Sequence, residues 1–182
     1  QKEKYIGIAL DKSERLETLI NELFEITRYH TNTVQVKKQP VDLYALLSQV
    51  IDDFYPTLSE KGNTTKISMQ DGLTVTGDPE KLARVFNNLL RNAASYCYPN
   101  TEINIIASKK GNHAVVIFKN HGPTIPEEQL NIIFDKFSRL DEARTSDTGG
   151  AGLGLSIAKE IVNLHGGEIT AQSQAEEITF TV

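Results

Sequence analysis

The chain has 182 residues, 39% of them hydrophobic, which suits one ordinary domain, or one domain plus a helical appendage, and gives enough for a real core, so that disorder is not the default. Nineteen basic against 24 acidic residues leave a net charge of −5, which argues against a broad nucleic-acid surface while allowing a local basic spot for a phosphate tail. One cysteine, Cys97, excludes an internal disulfide or a multi-cysteine zinc site, and no signal peptide or apolar run of transmembrane length occurs. The first residues already lie inside an amphipathic pattern, without a start methionine, so the chain reads as an excised piece.

Residues 1 to about 31 read as one long helix. Ile6, Ala9, Ser13, Leu16, Ile20, Leu23 and Thr27 alternate in steps of three and four, a heptad seam that needs a partner helix or a second copy of itself, the alternative being that it packs on its own globular domain. The polar run Thr31-Asn32-Thr33 detaches it from the rest of the chain. Val34-Gln35-Val36 alternates like a short strand that Gln39-Pro40 ends. Asp42 is placed to cap a second helix with Leu43, Leu46, Leu47, Val50, Ile51 and Phe54 on one face, closed by Gly62-Asn63. Thr65 to Met69 and Leu73 to Thr76 predict two strands joined as a hairpin by Gln70-Asp71-Gly72. Asp78-Pro79 starts a third helix, acid as cap and proline in the first turn, running to about Tyr96 or Cys97.

Ile103 to Ala107 and Val115 to Phe118 predict another strand pair around Lys110-Gly111-Asn112. Gln129 to Phe137 reads as a short helix, and residues 138 to 152, polar and glycine-ended, as a mobile lid. The last helix is expected from Gly152 to Leu164, broken by His165-Gly166-Gly167, with final strands at Glu168 to Ala171 and Ile178 to Val182. Hairpins among the strands argue against a wholly parallel sheet. The expected fold is therefore α/β in the α+β sense, a two-layer sandwich of a mixed sheet with helices on one face, preceded by a long amphipathic helix.

Three segments carry chemistry. Asn88 and Asn92 lie four residues apart on the third helix, so both amides share a face. Two carboxamides on a pocket can serve as neutral oxygen ligands to Mg²⁺, which keeps waters and substrate phosphates in its shell; the alternative is that Asn87, Asn88 and Asn92 decorate a solvated face. Lys119-Asn120-His121-Gly122-Pro123-Thr124-Ile125-Pro126 ends a strand in a tight turn, where an amide could read a base edge or simply serve turn chemistry. Gly149-Gly150-Ala151-Gly152-Leu153-Gly154-Leu155 leads into a helix, whose unpaired N–H groups and positive dipole end suit a phosphate; a capped mobile loop is the plainer possibility.

In that order the segments resemble the nucleotide-binding domain of sensor histidine kinases, a family grouped with gyrase-like and heat-shock ATPases. Phe86-Asn87-Asn88-Leu89-Leu90-Arg91-Asn92-Ala93 resembles its asparagine box. Phe134-Asp135-Lys136-Phe137-Ser138-Arg139 resembles its phenylalanine box, and Gly150-Ala151-Gly152-Leu153-Gly154-Leu155 its second glycine box. The resemblance covers essentially the whole chain: residues 1–31 look like the second helix of the dimerisation and histidine-phosphotransfer hairpin, and 32–182 like the catalytic ATP-binding domain. Gly77 to Asn88 and Arg144 to Gly152 look most like the vancomycin-resistance sensor kinases.

That resemblance implies ATP and Mg²⁺ as ligands. Asn92 is expected to hold Mg²⁺ bridging the phosphates, with Asn88 assisting. Tyr96 is expected to lie against the adenine, Asn120 to meet its amino group, and Gly122 with Ile125 to shape that wall. Arg144 is expected to reach the γ-phosphate and stabilise charge during transfer. Gly150, Gly152 and Gly154 are expected to cradle the phosphates, with Leu153 and Leu155 beside them, while Phe134 and Phe137 anchor the lid or belong to ordinary core.

The chain departs from the family's pattern in places. Asn120 stands where aspartate is usual, Thr124 where a second glycine is usual, and Ile178 where a threonine is often found; Ser95 replaces a lysine, leaving Arg91 or Arg144 to supply that charge. At Asn88 the hydrolytic relatives carry a glutamate that activates water as a general base; an amide cannot accept that proton, which implies transfer to a protein nucleophile. None of His30, His113, His121 and His165 sits in a phosphoacceptor motif, so the acceptor histidine is expected upstream of Gln1.

The expected function is the catalytic part of a sensor histidine kinase, relaying phosphate through that absent histidine to a response-regulator aspartate in glycopeptide-resistance signalling. The alternatives are a gyrase-like hydrolytic ATPase or a serine kinase on the same fold, or a catalytically inactive nucleotide-binding module. The expected partners are a cognate response regulator and a second copy through the dimerisation helices, with no nucleic acid and no membrane contact by this piece, which would lie on the cytoplasmic side of a membrane sensor.

Overall fold

The computed structural model describes residues 2–30, 35–138 and 152–182, which form two compact units, 1–35 and 36–182. The first unit is a single helix, α1 (Lys2–His30), about 43 Å long at 1.5 Å per residue. Its predicted seam is open: Ile6, Leu16, Ile20 and Leu23 are exposed, as are Leu10 and Phe24. Thr18 and Thr27 return their hydroxyls to the carbonyls of Glu14 and Leu23, so these polar positions are satisfied along the helix itself. Among the described residues no helix is long and apolar enough to cross a membrane.

The second unit contains β1 (Gln39–Asp42), α2 (Leu43–Glu60), β2 (Thr64–Met69), β3 (Thr74–Gly77), α3 (Pro79–Tyr96), β4 (Glu102–Lys110), β5 (His113–His121), α4 (Glu127–Leu130), α5 (Gly154–Leu164), β6 (Thr170–Gln174) and β7 (Glu177–Thr181). Its main sheet has the order β2-β4-β5-β7-β6, with β2 and β4 parallel and the other pairs antiparallel. This is the expected mixed sheet. Alternate residues point into a single face: Ile103, Ile105 and Ala107 of β4, Val116 and Phe118 of β5, Ile178 and Phe180 of β7 are all buried. Against that face lies α3, flanked by α2 and α5, with the rings of Phe86 and Phe118 6.0 Å apart at the centre.

Four expectations need correction. Residues 35–38 form no strand (Val34 lies outside the described residues); the strand is β1, four residues later, and it contains Pro40. Proline is tolerated there because β1 pairs on one side only, with β3, in a separate two-stranded sheet. β2 and β3 exist but form no hairpin: β2 pairs with β4, and β3 with β1. Gly72, at φ +67°, turns the chain out of one sheet into the other. The helix expected over 129–137 is only the single turn α4, followed by turns to Phe137, whose φ of +62° no helix can hold. The last helix starts at Gly154 rather than Gly152, because Gly152 takes φ +77°. The lid expected over 138–152 falls almost wholly on 139–151, outside the described residues.

Caps decide where the helices begin. Asp42 accepts from the N–H groups of Tyr44 and Ala45 to open α2. Asp78 opens α3 and does more. Its carboxylate accepts from Lys81 N (3.3 Å) and from Lys37 N (3.0 Å), while its own N–H donates to Nε2 of His165 at the end of α5 (3.0 Å). An acceptor at Nε2 places the imidazole proton on Nδ1, 2.8 Å from the carbonyl of Ile161. Gly77 permits this approach, since a Cβ there would stand 2.7 Å from Leu82 Cδ1 and 3.2 Å from the His165 ring.

Burial works to raise the Asp78 pKa, but the two backbone donors and the charge of Lys81 outweigh it and hold the carboxyl below the ordinary aspartate value. A depressed folded-state pKa adds stability above the unfolded value near 4 and loses it as pH falls through the folded one. Asp78→Ala is therefore expected to cost about 1–2 kcal/mol at pH 7, roughly 2–8 °C in Tm, and the gap to the unsubstituted chain should narrow below about pH 4. Thermal melts at both pH values check this, and an equal gap throughout would contradict it.

Candidate active site

On α3, the i, i+4, i+8 ladder Asn88, Asn92, Tyr96 lines one edge of the helix, while Leu89, Leu90 and Ala93 are buried in the core. Asn88 is not on a solvated face: it is 4% exposed and lies against α5, where a Cβ on Gly154 would stand 3.3 Å from its Oδ1. Its Nδ2 has no hydrogen-bond partner among the described residues. Asn92 and Tyr96 are half-buried and line a small cavity with Ile125, Leu155, Ile178 and Phe180. The cavity measures about 40 Å³, room for about one water.

The second wall is the turn after β5. Asn120 is 1% exposed, stands opposite Ile178 across the β5–β7 register, and neither its Oδ1 nor its Nδ2 has a partner among the described residues. Gly122 approaches α3 so closely that a Cβ would collide with the carbonyl oxygen of Tyr96 and stand 3.4 Å from Ile178 Cδ1. The turn is clamped to the β6–β7 hairpin: Gly122 N donates to Glu176 O, Ile125 N to Ser173 Oγ, and Glu176 N to Thr124 Oγ1, each at 2.9 Å. Thr124 thus uses the hydroxyl that the usual glycine lacks. Tyr98 OH donates to the Glu176 carboxylate at 2.9 Å, a bond that with partial desolvation and the carboxylate's charge pushes the phenol pKa up.

The third wall is the start of α5. Gly152 in its left-handed turn leads to Leu153, which is buried and whose carbonyl accepts from Ile157 N and Ser156 Oγ. Among the described residues no side chain caps this helix. Its first turn, the positive dipole end, lies beside the side chain of Asn88, whose Nδ2 is unpaired among the described residues, an arrangement fit for phosphate oxygens. Among the described residues no three His, Cys, Asp or Glu side chains converge to hold a metal.

The structure thus brings Asn88, Asn92, Tyr96, Asn120, Gly122, Ile125, Gly152, Leu153, Gly154 and Leu155 to one end of the α3–α5 layer. Gly150 and Arg144 lie outside the described residues. The two phenylalanines part company: Phe134 is buried edge-on to Phe180, with Lys159 Nζ 5.7 Å over its ring, whereas Phe137 is 62% exposed. Among the histidines, His165 is structural, His113 and His121 are exposed at the ends of β5, and the side chain of His30 lies outside the described residues. Sequence reasoning missed Ser173 and Glu176, which hold the turn from a different hairpin; no local signal marks them. Cys97 is the buried C-cap of α3, its thiol pKa pushed up by burial against a smaller opposing pull from Lys61, and Asn63 Nδ2 donates to its sulfur at 3.0 Å. A larger hollow of about 460 Å³, among Leu82, Phe86, Val162 and His165, contains none of the site residues.

Sequence and structure comparisons point to the same chemistry. The chain is 54% identical over all 182 residues to the sensor protein VanS of Enterococcus faecium, covering 47% of that protein. It is 42% identical over 179 residues, 98% of the chain, to the sensor protein VanSC of Enterococcus gallinarum, covering 49% of it. The chain therefore spans about half the length of these curated relatives. Among solved structures, the histidine kinase AdeS of Acinetobacter baumannii superposes with a TM-score of 0.83 over 97% of this chain and 81% of that one; at 19% identity the likeness is one of fold. Residues 77–182 match the family described as Histidine kinase-, DNA gyrase B-, and HSP90-like ATPase, and this stretch begins at the α3 cap and takes in the asparagine ladder, the clamped turn and the uncapped α5. The chain belongs to this ATPase family, and the curated relatives it resembles over its whole length are sensor proteins.

Proposed function

We propose that the chain is the catalytic part of a sensor histidine kinase, with one dimerisation helix, and that it passes the γ-phosphate of ATP to a histidine carried elsewhere in the longer protein. The observation that carries this is Asn88: the residue buried beside the α5 N-terminus is an amide, so no carboxylate there can take a proton from water. In this reading Mg²⁺ neutralises the phosphate charge, and Asn92 with Asn88 are its protein ligands. Asn88 Nδ2 and the first turn of α5, Gly152 and Leu153 through Leu155, hold phosphate oxygens. Tyr96 lies against the base, Gly122 and Ile125 form its wall, and Asn120 takes its edge. By the family resemblance, Arg144, ahead of the glycine-rich motif, reaches the γ-phosphate, and Gly150 within it joins the phosphate cradle.

The open seam of α1 suits pairing within a homodimeric helical bundle. Phosphate then passes to a response-regulator aspartate, and the relatives' names suit a role in glycopeptide resistance for a sensor held at the membrane with this part on the cytoplasmic side. The test uses the full-length protein with γ-labelled ATP. Acid-labile, alkali-stable label on histidine is expected; label on serine, or steady phosphate release with none on protein, overturns the reading.

A further inference from the structure

We infer that the base end of this site accepts 6-oxopurine nucleotides as well as adenine nucleotides, and that Asn120 is the residue that permits both. The inference rests on the nucleotide-binding reading above. A buried amide with both polar atoms unpaired is costly in a folded protein, and Asn120, 1% exposed on the helix-facing side of β5, is such a group beside the cavity wall formed by Ile178.

The base that such a group selects is set by its donors and acceptors. A carboxylate at this position only accepts; where one of its oxygens faces position 6 it takes the 6-amino group of adenine and repels a 6-oxo oxygen. A carboxamide carries one acceptor and one donor group. In one orientation Oδ1 accepts from the adenine 6-amino group while Nδ2 donates to N1. Turned by 180° about its last torsion, Nδ2 donates to the 6-oxo oxygen and Oδ1 accepts from N1–H. The two orientations have nearly the same outline, so the pocket wall does not choose between them.

Selectivity would then need a neighbour that fixes the amide in one orientation, and the described residues supply none. The residue opposite Asn120 is Ile178, which has no polar atom in its side chain, and the preceding residue on the same face is Phe118. Neither amide atom of Asn120 is bonded to a described residue. The amide is free to follow the base.

ADP and IDP, which differ only at position 6 and the N1 proton, are the probes. Calorimetry of the chain with Mg²⁺ and each nucleotide is expected to give dissociation constants within about tenfold of each other, and Asn120→Asp to widen the ratio by about thirtyfold in favour of ADP. Selectivity for ADP beyond tenfold in the unsubstituted chain overturns the inference while leaving the nucleotide site standing. An unchanged ratio in Asn120→Asp also overturns it. Failure to bind either nucleotide at millimolar concentration removes the nucleotide reading and this inference together. Should the variant not fold, the ratio in the unsubstituted chain decides.

Discussion

Asn92→Ala is expected to lower phosphoryl transfer in the full-length protein by roughly 10²–10³-fold, the loss typical of removing one group that stabilises developing charge. The fold should survive. Asn92 is half-buried on the cavity rim, outside the packed stripe of Leu89, Leu90 and Ala93, and no side-chain hydrogen bond among the described residues depends on it. A change within about 0.5 kcal/mol, or about 2 °C in Tm, is the expected stability effect. Single-turnover labelling and a thermal melt on the same preparation separate the two quantities. Transfer within threefold of the unsubstituted rate would remove Asn92 from the reacting centre.

Gly122→Ala should damage both stability and nucleotide binding, for a steric reason visible only in three dimensions. The added methyl meets the Tyr96 carbonyl oxygen, an atom of helix backbone that cannot swing aside, and presses Ile178 at 3.4 Å. Either the turn lifts from α3 or α3 shifts, and each movement carries Asn120, Ile125 or Tyr96 out of place. A loss of about 1–3 kcal/mol in stability is expected, together with at least about tenfold weaker ADP binding. Gly72→Ala is the control. That glycine has φ +67° and nothing within 4 Å of its virtual Cβ, so substitution should cost about 1 kcal/mol in backbone strain and leave ADP affinity unchanged. Equal nucleotide effects in the two variants would show that the Gly122 contact is not specific to the site.

The sites of largest effect differ in how far they could be read from the chain. The asparagine ladder was legible because helix periodicity is local: four residues make about one turn, so Asn88 and Asn92 share a face wherever the helix packs. Asp42 and Asp78 were legible as caps for the same reason, their carboxylates bonding N–H groups two or three residues ahead. Strand pairing is not local. Gln70-Asp71-Gly72 has the composition of a hairpin turn, yet β2 finds its partner in β4 and β3 in β1, because a turn sequence says where the chain bends and not which edge receives it. Phe134 and Phe137 show the limit from the other direction. Three residues apart, they would share a helical face, but the helix stops at Leu130 and one ring is buried while the other is exposed.

The departures at Asn120, Thr124 and Ile178 read in the sequence as separate weaknesses of the base wall. In the fold they act together: Asn120 and Ile178 are cross-strand partners, and the Thr124 hydroxyl accepts from Glu176 N in a hairpin more than fifty residues away. The family, the order of its motifs and the helices that carry them are all written in the linear chain, since these depend on residue types at short spacing. Packing in three dimensions was needed to establish that Asn88 is buried against Gly154, that Asn120 is buried unpaired, and that Ser173 and Glu176 clamp the turn. Burial and close approach are properties of what packs across from a residue, and for this pocket that is a different segment of the chain in every case.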